Sequence, residues 1–185
     1  MSTRIEDRPV TADELLRMPD QAFRRELVRG VVRERPFMGA IEGRLAAVIG
    51  LALLEHVQRY SLGVGYAAGT GFQLARDPDT VRAPTAAFLN REKAEVMAEV
   101  EGYVPGAPDL AVEVVTTSDD QDATEERVRS WLDAGTRMVV VVDPWKRWVT
   151  VYHSRDDIRV LGEGDVLDGG DVVPGWTLPV KSLFS

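Results

Sequence analysis

An α/β fold built on a mixed central sheet is what the sequence predicts, and three segments predict it. Asp109 to Val115 and Met138 to Val142 are apolar, strand-like runs separated by one helix-like stretch, the alternation of a parallel crossover. The second run is continuously apolar and mostly β-branched, which marks a strand covered on both faces. Ala40 to Tyr60 sets Ile41, Leu45, Val48, Ile49, Ala52 and Leu53 at helical spacing, with Glu42, Arg44, Glu55 and Arg59 interleaved. One long amphipathic helix can cover a face of that sheet.

The remaining elements follow from local signals in chain order. Thr11 to Met18 reads as a short helix opened by a Thr11–Glu14 capping box and stopped by Pro19. Glu26 to Arg33 reads as a hairpin turning at Arg29-Gly30, although glycine supplies only one of the two positive φ angles a tight turn needs. Gly63–Leu74 and Val81–Leu89 read as antiparallel neighbours divided by Arg76-Asp77-Pro78-Asp79. Asn90 caps a helix running to about Val100, and Pro105-Gly106-Ala107-Pro108 breaks the chain before the Asp109 strand. Asp122 or Thr124 starts the crossover helix, whose Val128, Trp131 and Leu132 form an apolar stripe, with Gly135 just past its end. Trp148 to Tyr152 alternates as an edge strand would, and a Gly/Asp-rich tail leads to Trp176–Val180. No internal repeat stands out, so one domain over 1–185 is expected.

Composition narrows the chemistry. The 185 residues carry 22 Lys+Arg against 30 Asp+Glu, a net charge of −8, and 44% of them are hydrophobic, enough for a real core. The absence of cysteine rules out disulfides and thiolate metal sites, and His56 and His153 are too few for a histidine-rich one, so any metal must be oxygen-bound. No apolar run approaches the roughly 18–20 residues of a membrane span, and the N-terminus lacks a signal-peptide core. A soluble, cytoplasmic protein is expected. The acidic balance and the lack of an evident Lys/Arg-rich tract argue against a broadly basic nucleic-acid binder.

Recognised catalytic motifs are missing. Gly63 to Gly69 has an extra residue before its third glycine and leads into a strand-like stretch, so it is no dinucleotide fingerprint. Walker A, Gly-x-Ser-x-Gly and His-Glu-x-x-His patterns do not occur. The informative residue is Glu113, a carboxylate among Leu110, Ala111, Val112, Val114 and Val115. An unpaired buried charge is costly, so Glu113 is either exposed or ion-paired for structural reasons, or a metal ligand in a cleft. Asp109 reads first as a turn residue after Pro108, and Glu26 as an ordinary surface charge.

Order and spacing then resemble a known family. Glu26-Leu27-Val28-Arg29-Gly30, the long helix, Pro108-Asp109-Leu110-Ala111-Val112-Glu113-Val114, Thr116-Thr117-Ser118, Ala134-Gly135, Val142-Asp143-Pro144 and Pro174-Gly175-Trp176-Thr177-Leu178-Pro179 resemble the Uma2 (DUF820) family of restriction-endonuclease-like proteins in the PD-(D/E)xK nuclease superfamily. The resemblance implies a restriction-endonuclease-like core with an N-terminal helix and hairpin, DNA as substrate and Mg²⁺ as cofactor. It implies Glu26 and Glu113 as acidic site residues, with Glu113 and Asp109 as metal ligands. Two positions depart from the family pattern. Thr85 stands where the preceding strand carries Asp, and Arg127 stands where the helix carries Lys. Thr85 removes a charge from a hard-cation site, and Arg127 brings a fixed charge of different shape. The family's histidine at the head of the long helix is absent, and Asp77 and Asp79 lie too far from Thr85 to replace the lost carboxylate without rearrangement. The expectation is a Uma2-type nuclease fold with a degraded active site and weak or lost cleavage. The alternative is a non-catalytic binding or assembly protein. An edge strand around Trp148 and Tyr152, with Trp145 nearby, either serves a homodimer or packs its aromatics within the domain.

Overall fold

The computed structural model describes residues 8–19, 24–97 and 100–185. Helix α1 (Ala12–Leu16) opens with the expected capping box, both halves of which are formed, but it ends at Leu16 with Arg17 as its C-cap, ahead of Pro19. Strands β1 (Arg24–Val28) and β2 (Val31–Arg35) make the hairpin. Its two turn residues both take positive φ, Arg29 at 50° and Gly30 at 77°. The turn holds Arg29 there because the Arg29 N–H donates to Thr80 Oγ1 (3.1 Å) and the Gly30 N–H to the Asp79 carbonyl (2.8 Å). A Cβ on Gly30 would sit 2.3 Å from Pro9 Cβ. Gly30→Val is therefore expected to lose about 2 kcal/mol or more in urea denaturation, and an unchanged midpoint would contradict this account of the turn.

Helix α2 (Ala40–Arg59) matches its predicted span. The next two β segments each break in two, giving β3 (Gly63–Ala67), β4 (Phe72–Ala75), β5 (Thr80–Arg82) and β6 (Ala86–Asn90). The pairs β3–β6 and β4–β5 are antiparallel as expected, but they belong to different sheets. Pro84, with no N–H to give a ladder, lies at the switch between β5 and β6. Helix α3 (Arg91–Met97) is capped by Asn90, which accepts from the Lys93 N–H at 2.9 Å; its predicted end near Val100 runs through residues outside those described.

After the short β7 (Val104–Pro105) come β8 (Leu110–Val114), α4 (Gln121–Asp133) and β9 (Met138–Asp143). Strands β8 and β9 are parallel, with Glu113 beside Val141. Helix α4 starts earlier than predicted, because Asp120 rather than Asp122 or Thr124 is its cap, accepting from the Ala123 N–H at 2.7 Å. Gly135, at φ 100°, closes it with a Schellman pair of hydrogen bonds, Gly135 N–H to Leu132 and Thr136 N–H to Trp131.

Strand β10 (Trp148–Tyr152) is not an edge. It lies between β9 and β11 (Ile158–Leu161), so no open edge for a homodimer exists at Trp148 and Tyr152. Strands β12 (Val166–Asp168) and β13 (Thr177–Pro179) form a small ribbon that leads into α5 (Val180–Leu183).

Two mixed sheets result, a six-stranded one in the order β11-β10-β9-β8-β6-β3 and a five-stranded one in the order β2-β1-β5-β4-β7. Alternation along the central strands sorts the core into two layers. Leu110, Val112, Val114, Met138, Val140 and Val142 pack with Leu45, Ile49 and Leu53 of α2 and with Trp176 and Leu183 of the tail. Ala111, Val139 and Val141 point the other way, onto Val128 and Trp131 of α4 and Phe72 of the second sheet. Glu113 shares that second face, so its carboxylate is aimed beneath α4.

Candidate functional site

Four elements converge on the paired carboxylates of Glu113 and Glu26. From β8 Glu113 reaches α4, where Arg127 Nη2 donates to both of its oxygens (2.7 and 2.8 Å) and Trp131 Nε1 donates to Oε1 (2.7 Å). Residues 127 and 131 are one helical turn apart and face the same way. Arg127 Nη1 meanwhile donates to Glu26 Oε2 of β1 at 2.6 Å, so one guanidinium holds both glutamates. Pairing of Leu27 with Val81 sets Arg82 of β5 beside Glu26, and Arg82 Nη1 donates to Glu26 Oε2 at 3.2 Å. The Ala83 N–H donates to Oε1 at 3.1 Å. Arg82 reaches onward to Glu126 (2.7 Å) and Ser130 (3.1 Å) on α4.

The cluster is sealed from solvent: Glu26 is 3% exposed, Glu113 6% and Arg127 5%. Burial by itself pushes the Glu26 carboxyl upward, but the Arg127 and Arg82 charges and the Arg127 hydrogen bond outweigh it and hold the value at about 2. Burial likewise disfavours the Arg127 cation, and the two glutamates more than offset this, so its pKa is raised. Two buried carboxylates against two buried guanidiniums is a neutral set, and attraction inside the low-dielectric interior offsets the desolvation.

The structure brings together Glu26, Glu113 and Arg127 in direct contact. Thr85 stands at the entrance to β6 next to them, and its hydroxyl accepts from the Val114 N–H at 3.1 Å. Asp109 is elsewhere. It lies at the other end of β8, four residues or about 13 Å along the strand from Glu113, where it accepts from Lys93 Nζ (2.9 Å) and the Asn90 N–H (2.8 Å). A metal shared by Glu113 and Asp109 does not fit that placement. Asp79 is used at the start of α1, accepting from the Ala12 N–H at 2.7 Å. Glu26, read from the residues alone as a surface charge, is among the most buried polar groups. Sequence reasoning passed over Arg82, Glu126 and Ser130 and took Trp131 as purely apolar. The signal available was the pair of i,i+4 sets on α4, Glu126/Ser130 and Arg127/Trp131, which give one face of the helix a polar edge.

The profile of the Uma2 family, described as "Putative restriction endonuclease", matches residues 12–181. The chain belongs to the Uma2 family. Among solved structures it is similar to a crystal structure of a "putative nuclease belonging to DUF820" from Anabaena variabilis, at a TM-score of 0.80 and 18% identity, covering 95% of this chain and 98% of that one. At that identity the likeness speaks for the fold. No curated protein matches the sequence. Among the described residues, no helix is long and apolar enough to cross a membrane.

Restriction-endonuclease-like families generally use divalent metals, and the Uma2 site here can be tested for that fit. Mg²⁺ demands several oxygen ligands in octahedral geometry. All four carboxylate oxygens of Glu26 and Glu113 already accept N–H hydrogen bonds, from Arg127, Arg82, Trp131 or Ala83. The third position offers the neutral Thr85 hydroxyl. Among the described residues no group of three or more His, Cys, Asp or Glu side chains is arranged to hold a metal ion. The donor set does not fit Mg²⁺.

Proposed function

We propose that this Uma2 member, read as one domain over 1–185, is a nuclease-fold protein in which Mg²⁺-dependent DNA phosphodiester hydrolysis is weak or lost. The observation that carries this reading is the Arg127 guanidinium bonded at once to Glu26 and Glu113, which occupies the positions a cation would need. In this reading Glu26 and Glu113 are the surviving acids, Thr85 replaces the missing carboxylate, and Arg127 turns a metal site into an ion-pair brace. The brace joins β1, β8 and α4, which favours the second role, a binding or assembly scaffold that no longer cuts. The expected result is no cleavage of supercoiled or linear DNA at high protein concentration with Mg²⁺ or Mn²⁺, and no heat of Mg²⁺ binding by calorimetry. Metal-dependent cutting that disappears in Glu113→Ala would overturn the proposal.

A further inference from the structure

The β1–β2 hairpin carries charge that the ion-pair site does not use. Between Arg24 and Arg35 there are five arginines and two glutamates, net +3 in a chain whose net charge is −8. This corrects the sequence reading that no basic tract is present; the arginines are interrupted by apolar residues and gather only when the strands pair. In the hairpin register Arg24 lies directly opposite Arg35. Like charges at facing positions of an antiparallel pair repel.

Both side chains are nonetheless drawn into the protein. The Arg35 side chain is 15% exposed and pairs with Asp119 at 3.0 Å. Arg24 is half-buried, and its Nε is shielded from solvent with no hydrogen-bond partner. Among the described residues it has no ion pair, only a long contact from Nη2 to the Pro36 carbonyl at 3.5 Å. Desolvation and then the neighbouring Arg35 charge push the Arg24 pKa down, so the folded protein holds this cation at a cost. Glu26, two residues along the same strand, is committed to Arg127 and Arg82. Arg24 and Arg35 line a cleft of about 490 Å³ between the hairpin and α1, together with Arg25, Glu26, Phe37 and Tyr103.

We propose that Arg24 and Arg35 bind one phosphate group in this cleft, either free or as part of a nucleic-acid backbone. A phosphate supplies several acceptor oxygens and negative charge beside Arg24, which has no ion pair among the described residues, and beside Arg35, which it would share with Asp119, and so relieves their repulsion. The site needs no metal and is read by binding, so it stands or falls independently of whether the chain cuts DNA.

The test compares the wild type with Arg24→Gln, using orthophosphate at constant ionic strength and a short DNA duplex without terminal phosphates. The wild type is expected to bind at least one probe, and Arg24→Gln to bind it roughly tenfold or more weakly. Without ligand, Arg24→Gln should melt no lower than the wild type, since a like-charge contact is gone. Weakening toward orthophosphate identifies a free phosphate as the ligand, and weakening toward the duplex alone identifies the backbone. Arg29→Gln, at the hairpin turn outside the cleft, serves as a control that binds like the wild type. The proposal is overturned if the wild type binds neither probe or if Arg24→Gln binds as well as the wild type. It is equally overturned if the variant loses binding only along with melting temperature, since Arg24 would then be structural.

Discussion

Arg127→Ala is expected to cost about 3–5 kcal/mol of stability near neutral pH and to flatten the acid limb of the pH–stability curve. In the wild type the Glu26 carboxyl is lowered from 4.5 to about 2. The stability this group contributes is therefore fully present above 4.5 and is lost as the pH falls from there through about 2. A shift of that size corresponds to about 3 kcal/mol. Without Arg127, Glu113 keeps only the Trp131 N–H, and Glu26 keeps Arg82 and the Ala83 N–H. Glu26 has then lost the first of the charges that hold its carboxyl down, so its value moves back up toward 4.5 and the stability lost on acidification through this group shrinks. Urea denaturation at neutral and mildly acidic pH reads both effects. Arg127→Met separates charge from volume: combined with Glu26→Gln and Glu113→Gln it should recover much of the loss, because the penalty lies in the uncompensated charges. A cost below about 1 kcal/mol for Arg127→Ala, or an unchanged acid limb, would show that the network contributes little to stability.

What the sequence revealed and what it concealed divide along sequence separation. The crossover from β8 through α4 to β9 was legible because each element carries its own signal: an apolar run, a capped helix with an apolar stripe, a terminating glycine. Glu113 stood out because a charge among five apolar neighbours needs an explanation. Glu26 did not, because its hairpin is amphiphilic and the partner that buries it, Arg127, lies 101 residues further on. Arg82 was hidden for the same reason, since its role depends on the pairing of β1 with β5, two strands 52 residues or more apart in the chain. Asp109 misled in the opposite sense. The Pro108–Val114 motif suggests a compact pair of acids, but four residues of extended strand carry Asp109 and Glu113 to opposite ends of β8. Alternation places a side chain on a face; only the sheet order decides which other chains meet it there.

The second large effect is a gain. Thr85→Asp combined with Arg127→Lys is expected to create both divalent-metal affinity and DNA nicking that, on the proposed reading, the wild type lacks. Each change addresses a separate obstacle. Arg127 blocks the site because its planar fork donates from two nitrogens at once, to Glu26 and to both oxygens of Glu113. A lysine ammonium is a compact charge on a flexible stem and cannot span the two carboxylates in that fixed geometry, so Glu113 oxygens become free to ligate. Thr85 is the second obstacle, because its neutral hydroxyl is spent accepting the Val114 N–H beside Glu113. An aspartate there would bring a second hard-oxygen ligand next to the first, and the ammonium introduced by Arg127→Lys would stand ready to stabilise charge on a phosphate. Neither change should suffice alone: Thr85→Asp by itself leaves Glu113 bound to Arg127, and Arg127→Lys by itself leaves a single free carboxylate. Calorimetric Mg²⁺ or Mn²⁺ binding and a plasmid-nicking assay across the two single variants and the double variant read this directly. Cleavage confined to the double variant, and removed again by Glu113→Ala, would establish that the ion-pair brace occupies a nuclease site. A folded double variant with neither metal binding nor nicking would show that the two departures are not what silences it.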